Sequence, residues 1–127
     1  MDKYIKKIMI IDDCEEIRDL VQKYLESSNC QFFLLSDGQF AHKIFLDNKV
    51  DLLICDMIMP YCDGIEVIQK IKMNDPEAKI IGISGGGNSD YLTLAQDFGA
   101  DSILYKPFTQ TELLKKIDSI GFSFHSP

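Results

Sequence analysis

Short apolar runs alternate with amphipathic stretches along the chain, and that alternation predicts its elements. Residues 7–11 form an apolar run that reads as a buried strand. Over residues 15–25 the apolar positions are Ile17, Leu20, Val21, Tyr24 and Leu25, the i, i+3, i+4, i+7, i+8 stripe of an amphipathic helix. Residues 32–35 are a second strand. Ser36 and Asp37 then stand as caps for a helix that carries Phe40, Ala41, Ile44 and Phe45 on one face. Residues 52–55 are a third strand, and Pro60 and Gly64 punctuate the loop after it. Ile65, Ile68 and Ile71 lie in helical register up to Asn74-Asp75-Pro76, because proline disfavours helical backbone in the residue before it. Residues 80–83 are strand four. Tyr91, Leu92, Ala95 and Phe98 mark helix four, which Gly99 closes. Residues 102–105 are strand five. Thr109 and Glu112 have capping-box spacing ahead of a helix with Leu113, Leu114, Ile117 and Ile120, closed by Gly121.

Five strands thus alternate with five helices, without a linker, repeat or low-complexity segment between them. The strands are apolar throughout rather than at every second position, which implies a parallel sheet covered on both faces. The expectation is a doubly wound α/β fold in one domain over residues 1–127. Such folds bind ligands beyond the carboxyl ends of the strands, where the strand order reverses.

Charge narrows the partners. With 13 basic and 20 acidic residues the net charge is −7, which argues against a general nucleic-acid binder and favours cationic partners and metal ions. No apolar run approaches the ~18 residues of a membrane span or the ~7–15 of a signal segment, so the expected location is the cytoplasm. Cys14, Cys30, Cys55 and Cys62 show no CxxC spacing and read as reduced, small apolar residues.

The strand ends carry the candidate chemistry. Strand one runs into Asp12-Asp13, strand three into Asp56, strand four into Ser84 and Gly85-Gly86-Gly87, and strand five into Lys106-Pro107. Singly, each has an ordinary role: an aspartate after a strand usually caps the next helix. Jointly they place three carboxylates, a hydroxyl and a lysine on one sheet edge. Two carboxylates ~5 Å apart repel by ~3 kcal/mol at an effective dielectric of 20, so three together call for a cation or a proton. Mg2+ suits such a site, because it takes one or two carboxylates, waters and a phosphate oxygen. A metal there also lets a carboxylate attack a phosphoryl group.

These residues resemble the receiver domain of two-component response regulators. The resemblance runs from residue 7 to about residue 119. It rests on Asp12-Asp13, on the segment Asp56-Met57-Ile58-Met59-Pro60 through Asp63-Gly64, on Ser84, and on Lys106-Pro107-Phe108. It implies a flavodoxin-like sheet of order 2-1-3-4-5. It implies that Asp56 accepts a phosphoryl group from a histidine kinase or histidine phosphotransfer protein. Asp13 would hold Mg2+ directly, Asp12 partly through water, and Asp56 and the Ile58 carbonyl would complete the protein ligands. Ser84 would bond the phosphoryl oxygen, and Lys106 would pair first with Asp56 and then with the phosphoryl group. The Lys106-Pro107 bond would be cis. A downstream target protein would bind the face of helix four, strand five and helix five, with no direct role for nucleic acid or membrane. The domain would load and unload its own phosphate without being a turnover enzyme.

Two positions depart from the family pattern. Ile103 stands where an aromatic often rotates inward on activation, and Gly85 stands where alanine is usual. Tyr105, two residues on, reads as a packing or surface residue and not as the missing aromatic. Against a haloacid-dehalogenase-like phosphatase stands Ile58, at the position of that family's second aspartate. A P-loop enzyme lacks its GxxxxGK[ST] motif here. The remaining alternative is a phosphorylation-independent docking module on the same fold. The start Met1-Asp2-Lys3-Tyr4 reads as a native beginning, so a stand-alone receiver is expected.

Overall fold

Ile8, Met9, Ile10 and Ile11 are fully buried in strand β1 (Lys6–Ile11) of the computed structural model, which describes residues 5–59, 64–85 and 89–124. Helix α1 (Glu15–Leu25) follows, then a 3-10 turn (Glu26–Ser28), β2 (Cys30–Leu35), α2 (Ala41–Asp47), β3 (Leu52–Asp56) and α3 (Gly64–Asn74). The chain continues through β4 (Lys79–Gly85), α4 (Ser89–Asp97), β5 (Ser102–Lys106) and α5 (Gln110–Ser119). All neighbouring strands are parallel, in the order β2-β1-β3-β4-β5. This is the doubly wound, flavodoxin-like sheet that the apolar runs and the resemblance implied.

Alternation along each strand feeds two cores. Met9, Ile11, Leu53 and Cys55 pack with Phe45, Ile68, Ile71 and Ala95 on one face. Ile8, Ile10, Leu52, Ile54, Ile81 and Ile83 pack with Val21, Leu25, Leu113 and Ile117 on the other. Every position of β3 is buried, which is why that strand is an unbroken apolar run in sequence. Each such side chain contributes about 1.5–3 kcal/mol by leaving water, and together they fix the sheet on which the polar ends are mounted.

Register places those ends. Ile11 of β1 lies opposite Cys55 of β3, so the next residues on the two strands, Asp12 and Asp56, emerge side by side. The chain reverses direction across the sheet at this pair, since β2 lies on one side of β1 and β3 on the other. On the far side, Lys106 ends β5 opposite Gly85 at the end of β4.

Several local expectations hold. Thr109 Oγ1 accepts from Glu112 N at 3.1 Å and Glu112 Oε1 accepts from Thr109 N at 2.9 Å, closing the capping box of α5. Gly99 (φ 126°) and Gly121 (φ 81°) adopt positive φ after α4 and α5. Others are corrected. Asp37 does not cap α2: its Oδ1 accepts from Gln39 N at 2.9 Å, an Asx turn. That turn delays the helix to Ala41 and leaves Phe40 outside it, 62% exposed rather than on the buried face. Asn29 (φ 58°) ends a 3-10 turn that the periodicity did not signal. The readings at Pro60, Cys62, Asp63, Gly86 and Gly87, and those of the Tyr91 and Leu92 side chains, lie outside the described residues.

Candidate functional site

Asp12 leaves β1 held by three hydrogen bonds and one ion pair. Its N–H donates to Leu35 O at 3.1 Å, the last bond toward β2. Its Oδ1 accepts from Cys14 N at 2.9 Å, and its carbonyl accepts from Arg18 Nη1 at 2.7 Å. Its Oδ2 is buried without a hydrogen-bond partner among the described residues and is neutralised by the Lys106 ammonium, 2.8 Å away. The N-cap of α1 is Cys14, and no side chain caps that helix. Neither aspartate therefore has the capping role that an aspartate after a strand ordinarily has.

Asp56, only 4% exposed, ends β3. Its Oδ1 accepts from Ile58 N at 3.1 Å, and its Oδ2 lies 3.6 Å from Lys106 Nζ. Burial pushes its carboxyl up to about 6; the Ile58 bond opposes the rise, Asp12 adds to it, Lys106 lowers it and Asp13 raises it again. Lys106 follows the opposite balance. Burial pulls its ammonium down, but contact with Asp12 and the charge of Asp56 outweigh that and hold it above the ordinary lysine value. The Lys106-Pro107 peptide is cis.

Asp13 is exposed, and one carboxylate oxygen from each of Asp12, Asp13 and Asp56 lies within 4.8 Å of the others. Three converging carboxylate oxygens, with the exposed Asp13 beside the buried Asp12 and Asp56, fit a hard divalent cation with an open, water-facing side. The structure thus brings together Asp12, Asp13, Asp56 and Lys106. Ile58, 50% exposed, joins them through its main-chain N–H on Asp56. Ser84, 2% exposed, is the penultimate residue of the neighbouring strand β4, with its hydroxyl donated to Gly85 O at 3.1 Å.

Three supports carry roles that the sequence does not assign, Arg18 being unmarked there and Met57 and Gly64 appearing only as loop punctuation or as members of the receiver-like segment. Arg18 holds the Asp12 carbonyl from one turn inside α1. Gly64 starts α3 so close to β3 that a Cβ there would meet Asp56 O and Met57 Cα, both at 2.7 Å. Met57, fully buried, fills a notch at Gly82, where a Cβ would meet its Sδ at 2.8 Å. Ile103 is half-buried against the same core, whereas Tyr105, two residues on and so on the same face of β5, is 44% exposed. A glycine amid β4's apolar residues was the available signal for the Met57 notch; Arg18 offered only its place one turn into α1.

Comparison with known proteins places the chain among two-component signalling proteins. The family model for the response regulator receiver domain matches residues 8–118. The transcriptional regulatory protein RprY of Bacteroides fragilis is 31% identical over 120 residues, covering 94% of this chain and 50% of that protein. The alkaline phosphatase synthesis transcriptional regulatory protein PhoP of Bacillus subtilis is 32% identical over 115 residues, covering 91% of this chain and 48% of that protein. The chain therefore spans about half the length of these relatives. A receiver domain protein from Clostridium thermocellum superposes with a TM-score of 0.83 at 30% identity, covering 91% of this chain and 94% of its own. The beryllofluoride-activated NtrC4 receiver domain dimer gives 0.84 at 28%, covering 91% and 96%.

Proposed function

The chain belongs to the response regulator receiver domain family, and from that premise we propose that Asp56 is its phosphoacceptor, loaded from the phosphohistidine of a histidine kinase or phosphotransfer protein. The observation that carries this is a buried carboxylate held between one lysine and two further carboxylates. The Ile58 N–H ties Oδ1 of Asp56 and leaves Oδ2 as the attacking atom. Its oxygen–phosphorus bond forms as the phosphorus–nitrogen bond to histidine breaks, and the electron pair leaves with the imidazole. Lys106, already 3.6 Å from Oδ2 and 2.8 Å from Asp12, shifts its charge to the transferred phosphoryl oxygens. The Ser84 hydroxyl turns from Gly85 O to the same group. Mg2+ held by Asp12, Asp13 and Asp56 with the Ile58 carbonyl would neutralise charge on the incoming phosphoryl group.

The domain acts as a switch and not as a turnover enzyme, because Ile58 is apolar and offers no proton to a leaving group. Its output is protein binding. Leu94 (44%), Tyr105 (44%) and Leu114 (36%) leave apolar surface exposed on α4, β5 and α5, a face for a downstream target. No described helix is long and apolar enough to cross a membrane, and we place the domain in the cytoplasm, without direct nucleic-acid contact. The placement of Ile103 instead of a rotating aromatic favours one second reading, a docking module indifferent to phosphate.

Incubation with a small acyl phosphate and Mg2+ is expected to add one phosphate by intact mass, and Asp56→Asn to abolish it. Capture of the same target by wild-type and Asp56→Asn protein, with no phosphate taken up by either, would establish the docking module instead.

A further inference from the structure

We infer that Arg18 is a positioning residue for the divalent cation site, acting through the main chain of the turn that carries Asp12 and Asp13. The inference rests on those two residues and Asp56 forming the metal site proposed above. Arg18 is the sole arginine of the chain. It is half-buried, and its Nη1 donates to the Asp12 carbonyl at 2.7 Å, at the short end for an N–H···O bond and charge-assisted. Its own N–H donates to Cys14 O at 3.2 Å. One residue thus clamps both ends of the three-residue turn between β1 and α1.

The clamped carbonyl belongs to the peptide that joins Asp12 to Asp13. That peptide is planar, so fixing its carbonyl fixes the direction in which Asp13 leaves the turn. Asp12 needs the help less: Leu35 O, Cys14 N and Lys106 already hold it from β2, α1 and β5. Asp13 is exposed, and its charge is repelled by Asp12 and Asp56. Without the clamp the turn can rotate Asp13 outward to relieve that repulsion, and the three oxygens disperse. Arg18 bonds the Asp12 carbonyl and not a carboxylate, so its action runs through the main chain of the turn. A guanidinium fixing the main chain of a ligand turn is an outer partner of the kind whose loss typically weakens metal affinity 10–100-fold.

The test is an amide chemical-shift titration with Mg2+ alone on the wild type, Arg18→Gln and Arg18→Lys, with the unfolding midpoint of each measured in EDTA. Arg18→Gln is expected to raise the Mg2+ Kd about tenfold while remaining folded in EDTA. Arg18→Lys, which keeps a cationic donor on a long side chain, is expected to recover part of the affinity. A Kd for Arg18→Gln within twofold of the wild type overturns the inference and leaves the metal site standing. So does a loss of affinity that tracks loss of fold and is equal in Arg18→Lys. If the wild type itself shows no Mg2+-dependent shifts at Cys14 and Ile58, the proposed metal site falls, and Arg18's role falls with it.

Discussion

Asp56 is a carboxylate that folding makes harder to ionise, and this gives the metal-free protein a characteristic pH dependence. Its carboxyl titrates near 3.8 when unfolded and near 6 when folded, chiefly through burial. Between those values the native state binds the extra proton, so its contribution to stability is complete below about pH 4 and is lost as pH rises through 6. In EDTA, denaturant unfolding of the wild type is expected to lose roughly 2 kcal/mol more than Asp56→Asn between pH 4 and pH 7.5. Parallel stability curves for the two proteins would show that Asp56 is not the strained group. At this scale the acidic and basic members of the site were legible, because Asp12, Asp13, Asp56 and Lys106 directly follow or end apolar strands. Arg18 was not. Its bond depends on where a loop carbonyl points, and hydrophobic periodicity carries no information about that direction.

Elements were legible where burial sets them and obscure where turns do. The strands of a doubly covered sheet need apolar residues at every position, so their runs stand out. The start of α2 departs from the expectation because Asp37 closes a turn on Gln39 instead of capping the helix, and three residues of slip put Phe40 in water. The approach of α3 to β3 was also invisible, since it requires only a missing side chain at Gly64. Gly64→Ala would place Cβ 2.7 Å from main-chain atoms of Asp56 and Met57, which cannot move aside as a flexible side chain can. We expect a loss of about 1–3 kcal/mol in urea unfolding. Gly85→Ala, whose Cβ would meet nothing within 4 Å, serves as the control and should change stability little. Equal effects at the two glycines would mean that close packing of α3 on β3 is not what Gly64 provides.

Over the whole molecule, an acidic chain of net charge −7 concentrates three carboxylates at the reversal point of its sheet. Like charges there raise the energy of the metal-free native state, and a cation that binds only the folded form stabilises it by mass action, about 2.7 kcal/mol at a hundredfold excess over Kd. Mg2+ is therefore expected to raise the thermal midpoint of the wild type. Asp13→Asn should raise the midpoint in EDTA and blunt the further gain from Mg2+. No shift with Mg2+, together with a neutral or destabilising Asp13→Asn, would contradict a metal-binding acidic cluster. Signalling sets a larger demand, since moving a two-state population from 1:99 to 99:1 takes about 5.5 kcal/mol. Charge-assisted hydrogen bonds from Ser84 and Lys106 to a phosphoryl group, at about 1.5–3 kcal/mol each, approach that figure. The fold and the clustered acidic and basic residues could thus be read from sequence, whereas no residue marks a part that would move in the proposed switch, because Ile103 stands where the family often has an aromatic.

The most direct test of the central claim is to locate the phosphate. Protein loaded with acyl phosphate and Mg2+ is reduced with borohydride, which converts an aspartyl phosphate to homoserine, and its peptides are mapped by mass spectrometry. Homoserine at position 56, absent without Mg2+ and absent in Asp56→Asn, is the expected result. Homoserine at Asp12 or Asp13 with Asp56 unmodified, or label that persists in Asp56→Asn, would contradict it.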